Sequence, residues 1–442
     1  MAHVEEVFGI SLKPILSYVD RETVDGKFQQ ALKSDNHIVI YGSSKQGKTS
    51  LRTKHVKDDE CSVINCGPRT TITSLYMSML RQVGVKVQTT ETSTTDVSGV
   101  LKTKVGFKAL FPFLGEGSTE IAAEAKTGLE KARTSEFIGY DLSEAQAIGE
   151  LLKAQNFNKL VVLENFHYLP IDTQKSLAYD LKTFHEIGVR FIILGVWREA
   201  NQLLVHNGDL QDRITEIPVE PWEETDFNKI VAKGSVYLNI HIAPNIIREF
   251  VKNAYGNVGL FQEFLRTFCT LNGIRLTQDS KAELSNNEKV SLTFKSKLED
   301  QRGQLIKVLE GIAAKSRTDG PDPMVLPYYL VRVILGIDPE QLELGIEKTT
   351  LLQKIREIHH REKKDTIRTN DIGNLLSQLS SYQLDINPPF IYYDDNQRRL
   401  KVVDTRQFFV LANINRIEVA DDIPFPLDLR IADLQKEDQQ PD

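Results

Sequence analysis

Five short apolar runs punctuate the first half of the chain, at His37 to Tyr41, Ser62 to Asn65, Lys159 to Leu163, Arg190 to Leu194 and Thr215 to Val219. Helix-compatible stretches separate them. Runs such as Leu160-Val161-Val162-Leu163 and Phe191-Ile192-Ile193-Leu194 show no polar alternation, which suits strands covered on both faces of a parallel sheet. The pattern predicts an α/β domain built on a five-stranded parallel sheet, with its ligand edge at the carboxyl ends of the strands.

Between the second and third runs the period changes. Thr89 to Asp96 is polar and low in complexity, and Leu101, Thr103, Val105, Phe107, Ala109 and Phe111 then alternate with Lys102, Lys104, Gly106, Lys108 and Leu110. A period of two predicts an amphipathic strand with three lysines on one face, closed by Pro112 and Gly115. This β-rich insertion, about residues 88–140, is read either as a projecting ribbon that touches a partner or nucleic acid, or as a decoration packed on its own domain.

Beyond Pro221 the pattern turns helical through Cys269. Ser285 to Lys297 is polar, and Thr318-Asp319-Gly320-Pro321-Asp322-Pro323 is a break. Helices are predicted over Gln301 to Lys315, Leu351 to Arg361 and Asn370 to Gln383, the last opened by Thr369 as its cap. A hairpin follows: Phe390 to Tyr393, a turn at Asp394-Asp395-Asn396-Gln397, and Arg398 to Val403. Helices followed by such a hairpin predict a winged helix-turn-helix. The expected division is a core over 1–220, a helical lid over 221–297, a helical and winged domain over 298–417, and an acidic tail over 418–442.

At 442 residues the chain is long enough for roughly two to four domains. Its formal charge of -7 excludes a wholly basic nucleic-acid coat, so any DNA contact must come from a local patch. From Glu347 to Arg406 there are 11 Lys/Arg and 9 Asp/Glu, a net of +2. Arg368, Arg398, Arg399 and Lys401 are the candidate phosphate contacts there, with Asp394 and Asp395 at the turn opposing them. Cys61, Cys66 and Cys269 form no C-x-x-C pair, which argues against a disulfide framework or zinc site. His359 and His360 are adjacent and so point to different helix faces, a poor metal pair. No leader or membrane span is legible, and a soluble cytoplasmic protein is expected. The 8 acidic residues against Arg430 and Lys436 after position 417 predict a solvated tail.

The most specific chemistry is at Gly42-Ser43-Ser44-Lys45-Gln46-Gly47-Lys48-Thr49, a complete G-x-x-x-x-G-K-[ST] phosphate loop directly after the first apolar run and before helix-compatible Ser50 to Lys54. Its glycines let backbone N–H groups curl around phosphate, Lys48 neutralises β/γ oxygens, and the Thr49 hydroxyl ligates Mg²⁺. ATP with Mg²⁺ is the expected ligand, held by residues 42–50. The third run ends in Glu164-Asn165-Phe166-His167, where a carboxylate belongs beside the metal. Glu164 takes the magnesium position and Asn165 the position of the water-activating base. An asparagine orients water but accepts no proton, so hydrolysis should be slow. His167 either contacts the γ-phosphate or packs at the strand end.

These residues resemble the AAA+ and STAND branches of P-loop ATPases, particularly origin-recognition-like members and transposition ATPases. Tyr18-Val19-Asp20-Arg21-Glu22 is similar to the segment those proteins lay against adenine, with Asp20 at the usual glycine, and it makes Arg21 a nucleotide contact. Gly208 to Arg213 resembles the segment carrying an arginine finger, which implies that Arg213 reaches a neighbouring subunit's γ-phosphate. Arg198 stands near the sensor position. Gly256-Asn257-Val258-Gly259-Leu260 is similar to the Gly-Asn-Pro segment of STAND lids, and Gly259 occupies the place where many relatives carry a second sensor arginine. The resemblance implies a nucleotide-dependent switch, with homo-oligomers, duplex DNA at the winged helix and a separate effector protein as partners, in defence or signalling. The alternatives are an ATP-regulated DNA-binding loader and a non-hydrolysing ATP-bound scaffold.

Overall fold

The protein is seen in a computed structural model that describes all residues except 11–13, 96–100, 111–136, 140–143, 198–202, 384–385, 387, 396 and 429–442. An N-terminal segment supplies α1 (Val4–Val7), a π-helical turn (Glu22–Gly26) and α2 (Lys27–Leu32). The core then runs β1 (His37–Tyr41), α3 (Lys48–His55), β2 (Cys61–Asn65), α4 (Ile72–Gln82), β3 (Lys86–Thr95), β4 (Leu101–Leu110), β5 (Phe137–Gly139), α5 (Ala145–Ala154), β6 (Leu160–Glu164), α6 (Ile171–Ile187), β7 (Phe191–Gly195) and β8 (Ile214–Pro218). Five of these strands form one sheet in the order β2-β6-β7-β1-β8, every neighbouring pair parallel. Ile38 and Ile40 face the cluster of Phe28, Leu51 and Ile192, while Val39 and Tyr41 face that of Tyr76, Leu163 and Ile193. Burial on both faces is why the run carries no polar alternation. This is the α/β architecture on a five-stranded parallel sheet that the five apolar runs predict.

The alternating segment of the insertion is β4, paired antiparallel with β3 from Lys86 opposite Leu110 to Thr95 opposite Leu101, with β5 on its other edge. Phe111, Pro112 and Gly115 lie outside the described residues.

After the core come α7 (Glu224–Leu238), β9 (Ile240–Ile242), α8 (Pro244–Ala254), α9 (Val258–Leu271), β10 (Ala282–Leu284) and α10 (Asn287–Ala313). The polar run from Ser285 is helical from Asn287 onward. It is the first half of the 27-residue α10, capped by Asn286, whose Oδ1 accepts the N–H groups of Glu288 and Lys289. Val290, Thr293 and Lys297 are buried and Phe294 packs beside them against Phe264 and Phe409, while Ser291, Leu292 and Lys295 face water, the spacing of one helix face. The boundary expected at 297 therefore falls within a continuous helix.

The C-terminal part comprises α11 (Leu326–Gly336), α12 (Pro339–Leu344), β11 (Ile346–Glu347), α13 (Lys348–Ile358), α14 (Thr369–Ser377), α15 (Leu379–Tyr382), β12 (Ile391–Asp394), β13 (Arg399–Val402), α16 (Arg406–Asn413) and α17 (Arg416–Asp422). The expected hairpin is present, Asp394 opposite Arg399, and β11 completes a three-stranded antiparallel sheet. Thr369 is the first helical residue, not the cap; that place is taken by Arg368, whose N–H donates to the Asp371 carboxylate. One apolar cluster runs from α1 through α7–α11 to α16. Phe409 stacks edge-on against Phe264 at 5.1 Å, so the C-terminal part is packed directly onto the lid helices.

Candidate functional site

The loop after β1 folds as the motif requires. Gly42 has φ 151° and Gly47 φ 85°, and a Cβ on Gly42 would stand 2.6 Å from Val219 Cγ2, so neither position tolerates a side chain without strain. Lys48 opens α3 and its Nζ donates to the carbonyls of Gly42 at 2.9 Å and Ser43 at 2.6 Å. Burial draws the Lys48 ammonium down to about 8 despite Glu220, Asp404 and Glu164 nearby. A cavity of about 390 Å³ opens over this turn, bounded by Ser44 to Leu51, Asn165, Val196, Trp222 and Gly259. Its volume and mixed lining suit a nucleotide-sized ligand.

Glu164 ends β6 and meets α3 directly. Its Oε2 accepts the Thr49 hydroxyl at 3.1 Å, and Oε1 lies 3.4 Å from Arg52 Nη2. A hydroxyl and a carboxylate are the hard oxygen donors that Mg²⁺ takes, so the residues present fit that ion. The sequence did not announce Arg52, a buried cation shared between Glu164 and Asp58. Asn165, exposed at the cavity rim, stands at φ 59° in the left-handed region, which asparagine enters more readily than glutamate. His167 is driven down to about 4, first by burial and then by the Lys48 charge. It is neutral near pH 7.

Arg21 lines the cavity but by its wall. Its guanidinium lies 3.6 Å over the Trp222 ring and donates to the carbonyls of Val219 at 3.0 Å and Pro221 at 3.3 Å. Asp25 anchors that wall, taking the Tyr18 hydroxyl at 2.6 Å, the Arg21 N–H at 2.8 Å and His55 Nε2 at 2.8 Å. Trp222 Nε1 is buried and has no hydrogen-bond partner among the described residues, a donor available beside the loop.

Not every loop residue faces the cavity. The Ser43 N–H and hydroxyl both turn to Glu220 Oε2, at 2.8 and 3.1 Å, and Gln46 Nε2 donates to Glu220 Oε1 at 2.5 Å. In this structure the Ser43 N–H and hydroxyl, an expected ligand contact, are taken up by a carboxylate from beyond β8. The lid turn closes the other flank: Asn257 Nδ2 donates to Ser44 O at 3.1 Å, and Gln46 Oε1 accepts the Val258 N–H at 3.2 Å. A Cβ on Gly259 would lie 2.6 Å from Lys45 O. No arginine fits there because the loop backbone occupies its space.

No protein-family model matches the chain and no curated protein matches it in sequence. Solved structures do match in shape. A Walker-type ATPase of Pyrococcus abyssi aligns over 89% of this chain and 96% of its own, with TM-score 0.46 and 14% identity. The Orc1 protein of Aeropyrum pernix in complex with DNA aligns over 97% and 98%, with TM-score 0.42 and 11% identity. The RuvB Holliday junction branch migration motor of Thermotoga maritima aligns over 87% and 92%, with TM-score 0.37 and 12% identity. Likeness at this level assigns this chain neither activity nor partner, and the assignment rests on the residues above.

The remaining candidates are dispersed. Arg213 precedes β8, its carbonyl bonded to His37 at the amino end of β1, the edge opposite the phosphate loop. Its guanidinium is 3.8 Å from Glu186 and donates to Asp209 O at 2.5 Å. Arg198 lies outside the described residues. In the hairpin, Arg399 pairs with Glu347 at 2.6 Å and Lys401 with buried Asp394 at 2.9 Å. Asp394 is therefore no repulsive tip, and Arg399 and Lys401 are committed internally. Arg368 and Arg398 are exposed. Among the described residues no helix is long and apolar enough to cross a membrane.

Proposed function

We propose that this protein binds ATP with Mg²⁺ at residues 42–50 and acts as a slow ATP-hydrolysing switch. The Thr49–Glu164 contact across 3.1 Å carries the reading, because it brings a phosphate-loop hydroxyl and a strand-end carboxylate to one point. Lys48 and the backbone of Gly47 to Ser50 hold phosphate, Thr49 and Glu164 hold the cation, and Asn165 orients water at the rim. Held there, a divalent cation would supply charge neutralisation of the phosphate groups. Arg21 and Trp222 form the far wall, a flat cationic surface matched to a purine ring. Arg213, on the opposite sheet edge from its own loop, serves a neighbouring copy if subunits assemble.

The helices α13 and α14 followed by the β12–β13 hairpin support a winged helix, and the exposed Arg368 and Arg398 support duplex DNA as its ligand. A switch further requires that the lid bind triphosphate and diphosphate states unequally. Steady-state ATP hydrolysis of wild type, Lys48→Ala and Glu164→Gln, over a range of protein concentration and with or without duplex DNA, tests all of this. Slow turnover lost in both variants and rising per subunit with concentration supports an assembling ATPase. DNA stimulation favours a loader. Background turnover with tight ATP binding would leave a nucleotide-stabilised scaffold.

A further inference from the structure

We infer that Thr405, in the C-terminal domain, is a positioning residue of the phosphate loop, so that nucleotide affinity depends on that domain being seated against the core. The inference rests on the nucleotide-binding reading and adds to it a specific connection.

Between β13 and α16 the chain passes along the flank of the loop away from the ligand cavity. Ser43 Oγ donates to Val403 O at 3.0 Å. Thr405 Oγ1 accepts Asn257 Nδ2 at 3.0 Å and Gln46 Nε2 at 3.4 Å. Ser43, Gln46 and Asn257 are fully buried, and Thr405 is 3% exposed. The same Gln46 amide reaches Glu220 and Gly256 O. Four segments distant in sequence thus share one polar network: the loop, Glu220, the lid turn and the β13–α16 connection.

A network of this kind is stable only when all members are present, because an unpaired buried amide costs far more than an exposed one. Lifting the connection takes one of its two acceptors from the Asn257 amide and leaves the Ser43 hydroxyl only Glu220. The connection is itself rigid. Asp404 is buried, receives the Arg406 N–H at 3.0 Å, and takes Arg406 Nε at 3.0 Å on both oxygens. Only the short strand β13 separates it from the exposed turn at Arg398. A partner that grips that turn therefore acts on the loop through covalent backbone, and by linkage nucleotide binding alters the partner's affinity by the same factor.

The side-chain hydrogen bonds of Ser43 and Gln46 go to Glu220, the lid turn and the β13–α16 connection, so their effect on the ligand runs through loop backbone. That separates Thr405 from a direct contact and defines its test. Full-length wild type, Thr405→Val, Thr405→Ser, Ser43→Ala and Lys48→Ala are titrated with a fluorescent ATP analogue and Mg²⁺, with melting temperature recorded for each. In parallel, amide exchange across residues 42–47 is followed without nucleotide. The expected result is an affinity loss of roughly tenfold in Thr405→Val, the equivalent of one buried hydrogen bond, restored in Thr405→Ser. Loop exchange should be faster in Thr405→Val and Ser43→Ala and unchanged in Thr405→Ser. Should Thr405→Val fail to fold, Ser43→Ala carries the test. Wild-type affinity and wild-type exchange in Thr405→Val would overturn the inference. If wild type binds no better than Lys48→Ala, the nucleotide reading falls, and the exchange data alone decide whether Thr405 holds the loop.

Discussion

Glu164 accepts the Thr49 hydroxyl across 3.1 Å, tying the end of β6 to the first turn of α3. The other carboxylate oxygen faces the buried guanidinium of Arg52 at 3.4 Å, so Glu164, the proposed cation ligand, is also the counter-charge of an arginine. The two roles separate by substitution. Glu164→Gln keeps the size and one of the two acceptor oxygens and removes the charge. It should retain ATP binding, lose magnesium dependence and reduce turnover by about 10² or more. Glu164→Ala should in addition lose about 2 kcal/mol of stability, since it leaves the buried Arg52 guanidinium only the exposed Asp58 at 3.5 Å. Denaturant unfolding alongside turnover distinguishes them.

Asn165 carries φ 59° directly after that carboxylate. Left-handed backbone costs an ordinary L-residue about 1 kcal/mol. Asn165→Glu should therefore lower stability by about that amount while supplying the missing base. Turnover should rise about tenfold or more, a gain within the range of general base catalysis. Asn165→Gly should be at least as stable as wild type and no faster. A glutamate variant slower than wild type would show that the water is not activated from this position.

Lys48 should make ATP binding depend on pH. Burial, opposed by Glu220, Asp404 and Glu164, depresses its ammonium from 10.5 to about 8 in the folded protein. Unfolded chain thus holds more protons between those values, and stability without nucleotide should rise as pH increases through that interval. Affinity for ATP should move the other way, falling above about pH 8 as the cation is lost. Titration calorimetry in buffers of different ionisation enthalpy should record proton uptake there. Lys48→Met should abolish both dependences.

In the hairpin, position in the chain does not predict availability to DNA. Lys401 neutralises Asp394, which is 3% exposed and also accepts the Gln397 N–H, so Lys401→Ala should cost about 2 kcal/mol by removing that carboxylate's counter-charge. Its effect on DNA affinity should be minor. Arg368→Ala and Arg398→Ala should leave stability within about 0.5 kcal/mol and each reduce the salt dependence of duplex binding by about one unit. Filter binding over a salt series, paired with thermal unfolding, measures both.

The amino-acid sequence alone determined the parts governed by local physics. An apolar run without alternation names a doubly covered strand, and the spacing of two glycines, Lys48 and Thr49 names a phosphate loop, because each needs only neighbours in the chain. Glu164 was legible as a strand-end carboxylate for the same reason. Contacts between distant segments decided the rest. Arg52, four residues from Lys48, is an ordinary basic helix residue until the fold sets it beside Glu164. Gly259 becomes obligatory only when Lys45 O lies where its side chain would be. The commitment of Ser43 and Gln46 to Glu220, and the arrival of Thr405 from 359 residues beyond Gln46, leave no local signature, since burial and partner are set by packing across the whole chain. Sequence periodicity reports which face of an element is covered; only the tertiary structure decides what covers it.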